Sequence, residues 1–443
     1  MLVLLELLTA VAGLALLYQE AVRNRFVNYA TSMFLLAFVP LLCVYPAIAG
    51  VFVGGAYSVS PNRDMVIGDP WVYVLYQIFC LTILIVSYLT MRRQVVDLPY
   101  IGWQRKYQGD PVEVLVLTGL IGLGVALFVR STGYSFSELL SASRFEWFDD
   151  PNFSSVTLLI STYLMALSPV AILLALNNRN RVALAAIAIF LVMYGVLVRD
   201  RKWVIFMVSA GFAYVYMKNR YSIKISRKAA LLVLLVVAAL AFWQIARGVL
   251  FNYYVTGKGD PLYESQEVAG RLLTRGDLPY YYNASITAMD MNLNEGFYIP
   301  FGILRRQLFF FLPADFSLGL KVEDISALFS DAIGGGDTLR RGNMPPGFFG
   351  LFIISFGWIG TLVTCCLVPL ALRTLDRFIH RSRGILSIIV AAHLLSSVTL
   401  LLRGDDSSAT YFIVSSFAVL FVIRIFIRPQ ASPEMLPPMP GGS

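Results

Sequence analysis

Long apolar blocks recur along almost the whole chain, and no other feature constrains its fold as strongly. They run at about 1–20, 29–53, 71–91, 113–130, 156–176, 182–198, 203–217, 229–245, 347–371, 385–402 and 410–427. Each approaches or meets the ~17–25 helical residues that the hydrocarbon core of a bilayer requires. The blocks predict an all-α polytopic integral membrane protein with about eleven transmembrane helices. Composition agrees: 58% of the 443 residues are hydrophobic and 14% are charged. A water-soluble domain is nearer ~45–50% apolar and ~25% charged, so that class is excluded. Cys43, Cys80, Cys365 and Cys366 all lie inside apolar blocks, with no CxxC or Cys/His metal spacing, so neither a disulfide framework nor a metal centre is expected.

Basic residues set the expected orientation. One set of short loops and the tail hold nineteen Arg and Lys, among them Arg92, Arg93, Lys218, Arg227, Arg377 and Arg381. The short loops on the other side hold seven: Arg63, Arg130, Arg144, Arg199, Arg201, Lys202 and Arg403. Positive charge is retained on the cytoplasmic side, which puts the C-terminus inside and the N-terminus outside. The net charge of +8 is then a topological bias, with anionic lipid or substrate as its partner rather than nucleic acid. The flanks of the first block carry only Glu6 and Glu20.

Residues 246–346 are too long and too polar for a connector. With eleven acidic and nine basic residues they predict an ordered extracytoplasmic loop domain. It separates N-terminal helices 1–8 (residues 1–245) from C-terminal helices 9–11 (347–427), and a Pro-rich, disordered cytoplasmic tail is expected over 428–443. Within the loop, Gly302–Pro313 (GILRRQLFFFLP) sets two arginines beside apolar residues. That composition suits a short helix in the headgroup plane or an ordinary amphipathic surface helix. Asn343-Met344-Pro345-Pro346-Gly347 predicts a sharp start to the ninth span, and Gly350, Gly357 and Gly360 form a small-residue stripe for helix packing.

The chemistry-bearing candidates are mostly arginines on the outer side. The sixth and seventh blocks have 17 and 15 residues around Arg199-Asp200-Arg201-Lys202. At ~1.5 Å per residue they reach only ~23–26 Å, which draws the charged turn toward the membrane surface. Its arginines either snorkel to headgroups or line a wet anion site. Arg144, Arg271, Arg275, Arg305, Arg306 and Arg403 flank apolar segments in the same way. A planar guanidinium binds phosphate oxygens bidentately, and a polyprenyl pyrophosphate is an anion that sits at this depth. His380 falls in the expected cytoplasmic FIHRSRG loop, and His393 is a buried mid-span residue. No Ser-His-Asp arrangement, Walker loop, GxGxxG or HExxH occurs. A proton acceptor outside the membrane must then be a carboxylate, with Asp277, Asp290, Glu295, Asp405 and Asp406 as candidates. The adjacent pair Asp149-Asp150 reads as solvated.

The layout and several short motifs resemble the Wzy-type polymerases of lipid-linked oligosaccharide repeat units, the O-antigen and enterobacterial common antigen polymerases. Arg201 sits where the family often has a small-Arg-small turn between two short spans. Leu273-Thr274-Arg275 opens the large loop. Arg306 precedes an aromatic run that ends at Pro313. Met344-Pro345-Pro346-Gly347 leads to Phe356-Gly357-Trp358-Ile359-Gly360, Arg403-Gly404-Asp405 precedes the last span, and Arg144 is a first-loop arginine. The chain departs from the pattern at Phe349-Gly350-Leu351-Phe352, which lacks an acidic residue, and it lacks the large-loop histidine of the related ligases.

The resemblance implies a GT-C-like glycosyltransferase of the bacterial cytoplasmic (inner) membrane, active on the periplasmic side in lipopolysaccharide or related biosynthesis. Donor and acceptor would be undecaprenyl-pyrophosphate-linked glycans in contact with membrane lipid, a chain-length regulator is a candidate partner, and no cofactor or metal is implied. Asp277 or Asp405 would be the catalytic base. Arg144, Arg199, Arg201, Lys202, Arg271, Arg275, Arg306 and Arg403 would hold pyrophosphate. The alternatives are a lipid-linked oligosaccharide flippase or transporter and an O-antigen ligase. A nearly charge-free membrane interior, the large loop and the absence of an evident repeat weigh against a transporter.

Overall fold

The computed structural model describes residues 2–48, 69–91, 111–133, 154–198, 202–218, 223, 277–309, 324–333, 345–381 and 385–426. Helices and their connections account for all of these, with no strand among them. Among the described residues, seven helices are long and apolar enough to cross a membrane. They are α1 (Leu2–Arg23), α2 (Tyr29–Ile48), α3 (Pro70–Met91), α4 (Pro111–Thr132), α5 (Val156–Asn177), α11 (Phe348–Arg381, apolar to His380) and α12 (Ile385–Arg403, apolar from Leu386). Shorter apolar stretches occupy α6 (Arg181–Val198), α7 (Lys202–Lys218) and α13 (Asp406–Phe426). The expected span at 229–245 and the tail at 428–443 lie outside the described residues. Among the described residues of the large loop are three helices, α8 (Asp277–Asn294), α9 (Gly302–Leu308) and α10 (Ile325–Ala332).

The chain divides into two compact units. The second unit takes residues 103–211, 384–392 and 411–443, and small residues set its packing. Gly124 lets α4 approach α5 so closely that an added methyl group would lie 3.1 Å from Leu164 Cβ. Ser161 donates to the Gly124 carbonyl at 2.7 Å. Farther along the unit, Ser209 donates to the Ala392 carbonyl at 2.7 Å, and Phe206 meets Phe412 edge-on. A serine hydroxyl given to a backbone carbonyl adds a polar link between helices where packing supplies most of the attraction.

The first unit takes residues 1–102, 212–383 and 393–410, so the described part of the large loop belongs to it. Its core is aromatic. Phe348 and Phe349 at the start of α11 sit among Phe34 and Phe38 of α2 and Tyr76 and Phe79 of α3. At the other end of α11, buried Asp376 caps the start of α2. It accepts the Ala30 N–H at 2.5 Å, the Thr31 N–H at 3.4 Å and the Thr31 hydroxyl at 2.8 Å. One turn on, His380 Nε2 lies 2.8 Å from Tyr216 Oη and 3.2 Å from the Val27 carbonyl. His380 is therefore a helical packing residue of α11 rather than a loop residue, while His393 is buried in mid-helix as expected. Replacing Asp376 by Ala would leave buried donors without their acceptor and lower stability by ~2–4 kcal/mol. A detergent-solubilised melt should fall accordingly, and an unchanged melting temperature would remove this cap from the account.

Helix α11 is not a single rod. At Gly357 φ is 67° and ψ is −172°, a conformation outside the helical region and open almost only to glycine. The bend takes the carbonyls of Ile354 and Ser355 out of the helical ladder. They accept instead from the Ile299 and Phe301 N–H groups, both at 2.8 Å, so buried acceptors keep partners. The small-residue stripe expected here thus has divided roles. Gly357 makes the bend, and Gly360 lies against Phe356 of its own helix. Only Gly350 serves close packing with another helix, since an added methyl group there would sit 2.6 Å from Ala288 Cβ on α8.

Candidate functional site

Two turns that stand out in the sequence as possible motifs meet in the first unit. Helix α12 ends in a Schellman cap: the Gly404 N–H donates to the Leu401 carbonyl at 2.9 Å and the Asp405 N–H to the Leu400 carbonyl at 3.0 Å. Gly404 takes φ of 90°, the left-handed conformation that this cap needs. The Arg403 carbonyl then accepts the Gly347 N–H at 3.0 Å. Gly347 is itself left-handed, at φ 73°. The two glycine backbones are so close that a methyl group on Gly404 would come within 2.6 Å of Gly347 N.

The third partner in this junction is α8. A methyl group on Gly347 would strike Ser285, and would lie 2.9 Å from the Tyr281 carbonyl. Pro279 suits the first turn of α8, where a missing N–H costs no helical bond. Beyond that turn nearly every side chain from Tyr282 to Met289 is buried. A helix surrounded on all sides by protein needs no amphipathic stripe, which is why its sequence shows none. The helix that begins at Asp277, the Pro345-Pro346-Gly347 turn and the Arg403-Gly404-Asp405 turn are therefore packed as one cluster.

On its other side α8 is held by a carboxylate from α1. Tyr282 donates to Glu6 Oε1 at 3.4 Å, and its ring meets Tyr76 edge-on at 4.8 Å and Tyr45 at 6.4 Å. Tyr76 in turn donates to the Leu42 carbonyl at 3.2 Å. Glu6 is 2% exposed, and its Oε2 has no hydrogen-bond partner among the described residues. An acid inside an apolar block is the sequence signal for such a site. Farther along α8, partial burial pushes the Asp290 carboxyl above the usual carboxylate range, opposed by the Asn294 amide at 2.8 Å and reinforced by Glu295 and Asp69.

The expected site residues divide as follows. Arg403 is exposed at the end of α12, and Asp405 is half-buried beside it. Asp277 opens α8 and Lys202 opens α7, their backbones alone being described. Arg306 is paired with a carboxylate: its Nη2 lies 2.9 Å from Asp324 Oδ2, while Asp324 Oδ1 caps α10 through the Ser326 N–H. That ion pair ties α9 to α10, a structural task the sequence did not disclose. Arg144, Arg199, Arg201, Arg271 and Arg275 lie outside the described residues. Among the described residues no group of His, Cys, Asp and Glu is arranged to hold a metal ion. Compared with known proteins, the chain matches no family model, no curated protein and no solved structure.

Proposed function

We propose that the protein is a glycosyltransferase that polymerises undecaprenyl-pyrophosphate-linked oligosaccharide repeat units into O-antigen or a related surface polysaccharide. It works on the outer face of the bacterial cytoplasmic membrane. The reading is supported by the cluster in which the Arg403-Gly404-Asp405 turn, the Pro345-Pro346-Gly347 turn and the helix opening at Asp277 meet. Asp277, Arg403 and Asp405 are candidates for chemistry, the Pro345-Pro346-Gly347 turn belongs to the resemblance, and the three segments lie far apart in sequence.

In this reading an acceptor sugar hydroxyl attacks the anomeric carbon of the donor glycan. The new glycosidic C–O bond forms as the bond from that carbon to the pyrophosphate oxygen breaks. A carboxylate, Asp277 or Asp405, takes the hydroxyl proton, and undecaprenyl pyrophosphate leaves with the bonding electron pair. Exposed Arg403, joined by Arg271 and Arg275 of the same unit, stabilises the charge growing on that leaving group. Arg306, engaged with Asp324, serves as scaffold in this scheme.

A gel of surface polysaccharide from a strain lacking the gene tests the assignment. Loss of the ladder with survival of a single repeat unit on its anchor is the expected result. Lipid-linked units trapped inside the cell would assign a flippase instead, and lipid-linked polymer accumulating outside would assign a ligase.

A further inference from the structure

The segment 298–308 carries its amphipathicity inside out. On α9 and the residue before it, Phe301, Leu304 and Leu308 recur at helical spacing, and all three are exposed, Leu308 at 75%. The basic side chains of the same helix are less exposed, and Arg306 is turned to Asp324. Water would favour the reverse arrangement. Phe301 also holds a left-handed backbone, at φ 54°, which a bulky residue adopts only when its surroundings require it. Its N–H is fixed to the Ser355 carbonyl at 2.8 Å.

The apolar face has a neighbour that identifies its occupant. Tyr298, itself exposed, lies against the Gly357 bend, and Phe301 meets Phe356 at 6.4 Å. Two residues beyond the bend begins a stripe on α11: Ile359 is 82% exposed, and Val363, Leu367 and Leu370 follow it at helical spacing, all exposed. That stripe belongs to a membrane-length apolar helix. An exposed apolar stripe on such a helix faces lipid, and the face of 298–308 continues it around the bend.

We propose that residues 298–308 form an interfacial anchor, with Phe301, Leu304 and Leu308 inserted into the boundary between lipid headgroups and acyl chains. Arg305 and Arg306 then lie level with the headgroups, and the bend at Gly357 sits at the membrane surface. An apolar face of this kind rests ~5–10 Å into that boundary. Burying it there fixes the height of α9 and, through the Ile299 and Phe301 hydrogen bonds, of the bend itself.

Site-directed spin labelling of the full-length protein tests this, in nanodiscs of phosphatidylethanolamine and phosphatidylglycerol, with Cys366→Ser removing the least buried native thiol. Nitroxides are placed by Leu304→Cys and Leu308→Cys, with Ile359→Cys as the lipid reference and Asp331→Cys, an exposed carboxylate position on α10, as the aqueous one. Collision with dissolved oxygen should exceed collision with a water-soluble nickel chelate at 304, 308 and 359, and the order should reverse at 331. Chelate access at 304 and 308 equal to that at 331 would overturn the anchor by placing this face in water. Shielding from both relaxants would overturn it too, by placing protein, such as a second copy of the chain, against it. Either leucine position alone suffices if the other variant does not fold.

Discussion

Arg403→Ala should abolish polymer formation while leaving the protein in the membrane at its normal level. The separation of effects follows from how the turn is built. The contact between α12 and the start of α11 runs through the Arg403 carbonyl, and the cap that ends α12 depends on the backbone at Gly404 and Asp405. Both are made by backbone atoms. Losing one donor aimed at charge that develops in the transition state costs roughly 10²–10³-fold in rate. Arg403→Lys keeps the charge without the bidentate fork and should be intermediate. The check is a polysaccharide gel from a deletion strain complemented with each variant, alongside an immunoblot of membranes. Wild-type polymer length in Arg403→Ala would remove Arg403 from the pyrophosphate site.

Gly404→Ala should have the opposite signature, with loss of the folded protein itself. At φ 90° an alanine is strained, and its methyl group would lie 2.6 Å from Gly347 N and 2.7 Å from Gly347 O. Backbone strain of this kind costs about 1–3 kcal/mol, and overlap with a rigid backbone adds about 1–3 kcal/mol more. Gly347→Ala meets the same two problems against Ser285 and Tyr281. Either variant should give little monodisperse protein on detergent extraction, or a melting temperature lowered by several degrees. A Gly404→Ala protein that extracts and melts like wild type would contradict the contact described between the two turns.

The apolar blocks were legible as helices because a long run without charge needs no partner to declare itself, and described helices coincide with all the blocks except 229–245. Pro345-Pro346-Gly347 and Arg403-Gly404-Asp405 were legible as special, since glycine at a helix end signals a left-handed cap. That the two turns touch was not legible, because no periodicity encodes a contact between residues 347 and 404. The same holds for Glu6 with Tyr282 and for Asp376 with Ala30 and Thr31, where the partners are 276 and about 345 residues apart. The pairing of Arg306 with Asp324, eighteen positions on, was not legible for the same reason. Helix α8 escaped notice because burial on every side leaves no pattern, and Asn283, Ser285 and Thr287 make its sequence look like a polar surface segment. The bend at Gly357 lies inside an apolar run, where glycine also serves close packing.

Reconstitution tests the central claim most directly. The purified full-length protein is placed in liposomes with undecaprenyl-pyrophosphate-linked repeat units, and glycan length is followed together with release of undecaprenyl pyrophosphate. The account predicts a ladder of lipid-linked products, with one undecaprenyl pyrophosphate released for every unit added, and neither product from Arg403→Ala. Movement of the lipid-linked units across the bilayer with no change in their length would contradict it, and would make the protein a transporter.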